Sequence, residues 1–313
     1  MLKRAWAVFL FCSLLGLPGT LLIQAQEPDQ DPAYDISVSA ISIAVSVRDK
    51  KGRFVDNLTP EDFLVYENDG RKEITYFKHD YAAPVSLTVL LDVSGSMALQ
   101  ERMKDCREAL EYLLLYLLKP QDEVSLLIFA DGQVEVAAPF SQDKARFLSV
   151  LARTEAYGQT ALNDAVAVSP EYANRGKNEK RALLLLTDGV ENDSQSSPDQ
   201  AVEIARRVDV PIYIIGYRIP LGEQQLQKLK AAPSLTSAGI VAVLDRFSEA
   251  TGGKAFFIER AFDLFAAMRE IKKELSHQYI IGYTSYRDPE ESYRNITVLT
   301  KKKNYRVRTR KGY

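Results

Sequence analysis

Leu87-Thr-Val-Leu-Leu-Asp92-Val-Ser94-Gly-Ser96-Met97 is an apolar, strand-like run that ends abruptly in an aspartate and two serines. Asp92, Ser94 and Ser96 are hard oxygen donors spaced two apart around Gly95. That chemistry suits a small divalent cation such as Mg²⁺ better than Zn²⁺ or copper. The same residues also read as a turn that caps the next helix, so the stretch by itself leaves both readings open.

Outward from it, the sequence between Val85 and about Ser276 alternates strand and helix patterns. This predicts an α/β class: a Rossmann-like, doubly wound, mostly parallel sheet covered on both faces. A helix is expected over Ala98 to Leu118, with Met103, Cys106, Leu110, Leu113 and Leu117 on one apolar face. Strand Glu123 to Phe129 and an edge hairpin strand Gln133 to Ala138 follow, then helices Gln142 to Arg153 and Ala161 to Tyr172. A second buried strand, Ala182 to Thr187, ends in Asp188-Gly189. Ser197-Pro198 starts another helix and Pro211 to Tyr217 is another strand. After an insertion over 218–240, helix Val241 to Ala250, strand Lys254 to Ile258 and helix Phe262 to Ser276 complete the pattern. In the last of these, Phe262, Phe265, Met268, Ile271 and Leu275 form the expected buried face.

The two ends read as strand. Ile36, Val38 and Ala40 alternate on one parity and Ile41, Ile43, Val45 and Val47 on the other, which predicts a break near Ala40. Asp49-Lys-Lys-Gly52 is a turn, and Thr59-Pro60-Glu61-Asp62 carries the signals of a single capped helical turn. Phe63 to Tyr66 and Glu73 to Phe77 are expected to pair through Asn68-Asp69-Gly70. The tail adds strands Tyr279 to Thr284, Tyr293 to Thr300 and Tyr305 to Thr309, with Arg306, Arg308 and Arg310 on a solvated face. Neither end can bury a core alone. Together they predict a β-sandwich-like module into which the α/β domain is inserted, dividing the chain into 34–83, 84–277 and 278–313.

Lys plus Arg is 40 against Asp plus Glu 42 over 313 residues, which excludes a charge-driven nucleic-acid binder. Lys3 and Arg4 precede an apolar run from Ala5 to Ile23, read as a signal peptide over 1–25 followed by a disordered lead-in over 26–33. The alternative is an uncleaved anchor, the one case in which membrane contact is expected. Either way the remainder is extracytoplasmic: periplasmic, on the cell surface or secreted. With Cys12 removed, Cys106 cannot form an internal disulfide, and its place on an apolar helix face predicts a buried, unreactive thiol.

In a parallel sheet the strand ends share one rim. Asp92 and Asp188 should therefore meet there, and the loop Gly158-Gln159-Thr160, which leads straight into a helix, can bring a third hydroxyl. About five oxygens leave a six-coordinate ion at least one position for an outside ligand.

In this order and on these elements, Asp92-Val-Ser94-Gly-Ser96, Gly158-Gln-Thr160 and Thr187-Asp188-Gly189 resemble the metal-ion-dependent adhesion site of von Willebrand factor A domains and integrin inserted domains. The resemblance implies Asp92, Ser94, Ser96, Thr160 and Asp188 as ligands of Mg²⁺, with Mn²⁺ or Ca²⁺ as substitutes. It also implies a protein partner that presents an Asp, Glu or C-terminal carboxylate. Gln159 departs from the second glycine found in many relatives. Asp49-Lys-Lys-Gly-Arg-Phe-Val, Leu58-Thr-Pro-Glu-Asp-Phe63, Tyr279-Ile-Ile-Gly-Tyr283 and Tyr305-Arg-Val-Arg-Thr-Arg-Lys-Gly-Tyr313 are similar to hallmarks of a narrower group of exported bacterial A-domain proteins. The leading expectation is a non-enzymatic binding module. Its rivals are a hydrolase that uses the metal to activate water, for which His79 in a linker and His277 at a helix end are poorly placed, and a purely structural envelope scaffold.

Overall fold

A computed structural model describes residues 37–220, 236–287, 293–302 and 304–313. The expected signal peptide and lead-in, and most of the 218–240 insertion, lie outside the described residues. The N-terminal strands are β1 (Ser37–Arg48), β2 (Phe63–Glu67), β3 (Gly70–Lys72) and β4 (Ile74–His79). There follow β5 (Val85–Asp92), α1 (Arg102–Tyr112), β6 (Glu123–Ala130), β7 (Gln133–Ser141), α2 (Lys144–Arg153) and α3 (Leu162–Ala173). Next come β8 (Lys180–Thr187), α4 (Pro198–Ala205), β9 (Ile212–Tyr217), α5 (Ser237–Thr251), β10 (Ala255–Ile258) and α6 (Ala261–Ser276). The tail supplies β11 (Tyr279–Arg287), β12 (Ile296–Thr300) and β13 (Arg306–Arg308).

All eight residues of β5 are buried, as a strand clad by helices on both faces must be. It lies inside a six-stranded sheet of order β10-β9-β8-β5-β6-β7, parallel except where β7 returns antiparallel along β6. Alternation along the strands feeds two cores. Leu87, Val89, Leu91, Leu184 and Leu186 pack with Cys106 and Leu110 of α1, Phe147 of α2 and Met268 of α6. Leu90, Leu183 and Leu185 face Val166 of α3, Ala201 of α4 and Phe247 of α5. The polar residues of β5 on that second face are paired: Thr88 Oγ1 lies 2.9 Å from Ser125 Oγ, and Ser86 Oγ donates to Glu123 at 2.6 Å. Cys106 is fully buried, and burial pushes its thiol well up, so little reactive thiolate forms.

The ends of the chain form two further sheets, β13-β1-β11-β4 and β12-β2-β3. They share a core of Ile43, Val45, Val47, Phe63, Val65, Tyr279, Ile281, Tyr283, Ile296 and Val298. The α/β domain is thus inserted into a sandwich whose strands come from both ends. The two parts are joined by a buried ionic cluster. Glu274 of α6, fully buried, meets Arg48 of β1 at 3.2 Å and Arg308 of β13, and accepts a hydrogen bond from Tyr213 of β9 at 3.1 Å. Among the described residues, no helix is long and apolar enough to cross a membrane.

Several local expectations are corrected. β1 pairs with β11 without a shift from Ser37 to Val45, so there is no break at Ala40; the irregularity falls between Gly282 and Tyr283 of β11, against β4. Ala40 is exposed, so no core contact dictates its parity. Asn68 and Asp69, with φ of 45° and 66°, make a tight two-residue turn that pairs β2 with β3 rather than β4; β4 crosses to the other sheet and pairs with β11. Consequently His79 ends a strand. The helix expected from Ala98 begins only at Arg102, because Gln100 (φ 52°) and Glu101 (φ 59°) are left-handed and interrupt it. On α6, Phe262 is 75% exposed and Leu264 begins the buried face with Met268, Ile271 and Leu275. Of the three tail arginines Arg306 is exposed as expected, while Arg308 is half-buried against Glu274 and Arg310 is buried. Arg310 is 6% exposed, donates to Ser42 O at 3.1 Å and pairs with Asp209 at 3.3 Å, so these cations answer carboxylates that the α/β domain brings against the sandwich.

Candidate metal centre

Adjacent parallel strands put their C-terminal ends side by side, and the register Leu91↔Leu186 between β5 and β8 sets Asp92 beside Thr187. Thr187 Oγ1 donates to Asp92 Oδ2 at 2.6 Å, and the Ser94 amide donates to Asp92 Oδ1 at 2.9 Å. Asp188 follows one residue beyond β8, where its Oδ1 accepts from the Val190 amide at 3.1 Å. The Ser94 and Ser96 hydroxyls lie 3.1 Å apart. Asp92, Ser94, Thr160 and Asp188 are all buried, and Ser96 is half-buried.

Thr160 is held by backbone ties rather than by a regular element. Gly95 N donates to Gly158 O at 3.0 Å and Tyr157 N to Val93 O at 2.7 Å, which laces the 157–160 loop to the loop after β5. Gln159 N donates to Asp131 Oδ1 at 2.6 Å and Asp131 N to Gln159 O at 2.9 Å. On the far side, Thr160 N donates to Asn192 Oδ1 at 2.8 Å, and Thr160 O accepts from the Asn192 and Asp193 amides, each at 3.1 Å. The three loops bearing the five candidate residues are therefore bonded to one another. Gln159, the departure from a second glycine, has an exposed side chain and is held through its backbone.

Gly158 is required by this arrangement. Its φ is +68°, and a Cβ there would lie 2.3 Å from the Asp131 carboxylate. Gly158→Ala should shift the loop at a cost of about 1–2 kcal/mol from the left-handed backbone alone. The expected result is Mg²⁺ binding weakened by roughly tenfold, which corresponds to about 1.4 kcal/mol, with the sheet intact, as read by calorimetric titration and circular dichroism.

Burial of two carboxylates at one place has an electrostatic signature. Loss of hydration, and then the charge of Asp188, push the Asp92 carboxyl up to about 7. Desolvation raises Asp188 as well, against the opposing charge of Arg102 and the hydroxyl of Ser96. Asp188 Oδ2 is buried with no hydrogen-bond partner, an expensive state for a carboxylate oxygen. Arg102 Nη1 approaches it only to 3.6 Å. A cation fits these residues: it satisfies the orphaned oxygen and relieves the repulsion between the two acids. Among the described residues, no three His, Cys, Asp or Glu side chains gather at metal-binding separations, and the hydroxyls of Ser94, Ser96 and Thr187 stand beside the two acids. Such an all-oxygen set suits a hard ion.

From the sequence, Thr187 stands only as part of the Thr187-Asp188-Gly189 motif with no role of its own, and Arg102 is missed. Thr187 adjoins Asp188 in sequence but contacts the site only through the β5–β8 register. Arg102 lay within an expected helix and carried no signal of its inward aim.

Residues 87–191 match the family model of the von Willebrand factor type A domain. The six-stranded sheet and its helices have the A-domain fold. A solved von Willebrand factor type A structure from Catenulispora acidiphila is 13% identical and covers 81% of this chain and 73% of that one, with a TM-score of 0.50. The pilus adhesin SpaC from Lactobacillus rhamnosus GG, in an open conformation, is 10% identical over 86% of this chain and 47% of its own, with a TM-score of 0.49. An uncharacterized protein of Borreliella burgdorferi is 23% identical over 207 residues, 62% of this chain and 59% of that relative. The match thus spans less than two thirds of that curated relative. Within the A domain, the matched segment runs from β5 to just past Asp188 and contains all five candidate residues.

Proposed function

We propose that this protein is an exported binding module in which Asp92, Ser94, Ser96, Thr160 and Asp188 hold a divalent cation that takes a carboxylate from a partner protein. Mg²⁺ is the expected ion, with Mn²⁺ or Ca²⁺ as substitutes. The observation that carries this reading is the buried Asp92 and Asp188 pair with one carboxylate oxygen that accepts no hydrogen bond. When bound, the ion supplies a Lewis-acidic position for an anionic ligand. The protein's part is to fix the donors: Thr187 and the Ser94 amide orient Asp92, the Val190 amide orients Asp188, and Asn192 and Asp131 hold the Thr160 loop.

Binding is favoured over turnover because the chain's two histidines stand elsewhere. Both face Asp56, His79 at 3.8 Å and His277 at 3.7 Å, with His79 stacked on Tyr279 of the sandwich. Neither can serve as a base at the strand ends. Lys3, Arg4 and the apolar run to Ile23 support an extracytoplasmic location.

A pull-down from the envelope fraction tests the reading. Partners should be retained in Mg²⁺, lost in EDTA, and lost with Asp92→Ala in either buffer. Undiminished capture in EDTA would refute it.

A further inference from the structure

Arg102 is the first residue of α1, is 5% exposed, and turns its guanidinium inward. Nη1 donates to Ser96 O at 2.9 Å and stands 3.6 Å from Asp188 Oδ2, while Nη2 donates to Arg218 O at 2.9 Å. These bonds fix the group with Asp188 as its ion-pair partner, so its charge belongs to the candidate centre. The acid nearest to it along its own helix, Asp105, is engaged elsewhere: Tyr217 donates to it at 2.5 Å and Arg218 Nη2 lies 3.3 Å away.

We propose that Arg102 sets the charge of the ligand this site accepts, making one outside carboxylate the balancing partner of the loaded centre. The proposal rests on the metal-centre reading above. Two ionised carboxylates and a divalent cation are neutral together. A guanidinium locked behind them leaves the loaded site with one net positive charge, in surroundings where uncompensated charge is costly. A single carboxylate removes that excess. Arg102 also repels the cation itself. The arginine therefore weakens metal binding and strengthens anion binding, opposite effects that a merely structural side chain would not produce.

The full chain can be titrated with Mn²⁺ alone, followed by water-proton relaxation, and then with acetate at saturating Mn²⁺. Arg102→Gln removes the charge and keeps a shorter polar side chain; Arg102→Met removes the charge while keeping an unbranched apolar stem; Arg102→Lys keeps the charge. Either neutral variant that retains the native melting transition should bind Mn²⁺ about tenfold more tightly and acetate about tenfold more weakly, a factor of ten being about 1.4 kcal/mol. Arg102→Lys should return both affinities toward the wild-type values. Folded neutral variants whose two affinities are unchanged, or fall together, would overturn the role of Arg102 and leave the metal centre standing. A wild-type chain that binds no Mn²⁺ would remove the metal centre and this proposal with it.

Discussion

Asp92→Asn should make the metal-free protein more stable at pH 8 and deaf to Mg²⁺. Asp92 is fully buried, and desolvation together with Asp188 lifts its carboxyl to about 7, whereas an unfolded chain holds an aspartate near 3.9. Between those values the folded state binds more protons than the unfolded one, so stability must fall as pH rises through that window, by up to about 1.4 kcal/mol per pH unit. At pH 8 the full penalty is present. Asparagine cannot ionise, and it retains an oxygen for the Ser94 amide and an amide group that can reach Thr187 Oγ1. A gain on the order of 1–3 kcal/mol is expected in EDTA. Denaturant titrations at pH 5 and pH 8 measure it: the wild type should lose stability toward pH 8 in EDTA, and the variant should change little. Adding Mg²⁺ should stabilise the wild type by mass action and leave the variant where it was. A variant less stable than the wild type at pH 8 in EDTA would show that the pair is not in electrostatic conflict.

The second large effect lies where the sandwich meets the A domain. Glu274→Ala should destabilise the protein by about 3–5 kcal/mol, the usual result of removing one partner from a buried ion pair. The substitution strips the carboxylate from Arg308 and the Tyr213 hydroxyl and leaves Arg48 with Glu270, at 2.5 Å, as its remaining carboxylate among the described residues. Glu274→Gln, which keeps an acceptor, should cost less. Urea unfolding followed by tyrosine fluorescence and far-ultraviolet circular dichroism reads both; a loss below about 1 kcal/mol for the alanine variant, the range of exposed pairs, would mean that the cluster is solvated and contributes little.

Much of this was legible along the chain because the interactions concerned have short periods. Leu87–Leu91, broken only by Thr88, and Leu183–Leu186 are nearly continuous apolar runs, which a strand covered on both faces buries. A polar residue ending each run then marks the rim. The order Asp92, Ser94, Ser96, Thr160, Asp188 could be set down before any coordinates, because strand direction in a parallel sheet fixes which ends come together. Equally, Thr59-Pro60-Glu61-Asp62 did form its single turn, with the Asp62 carboxylate accepting from the Thr59 amide at 3.0 Å. Capping is a contact within four residues.

What failed locally was decided at a distance. The helix start moved from Ala98 to Arg102 because Arg218, 116 residues away, grips the Gln100 carbonyl and takes the Arg102 guanidinium on its own carbonyl. Phe262 reads as helix-face apolar, yet packing chose Leu264. Arg308 and Arg310 alternate with less polar residues as a solvated edge would; their true partners, Glu274 and Asp209, belong to elements that only the folded chain brings against the sandwich.

The sequence by itself determined the α/β class, which follows from periods of two and three to four residues, and named the candidate oxygen residues in chain order from their side-chain chemistry. The tertiary structure alone decided that Asp92 and Asp188 would both lose their water, that one carboxylate oxygen would accept no hydrogen bond, and that an arginine would stand behind them. Burial and charge proximity are properties of the packed molecule, and no local pattern of residues encodes them.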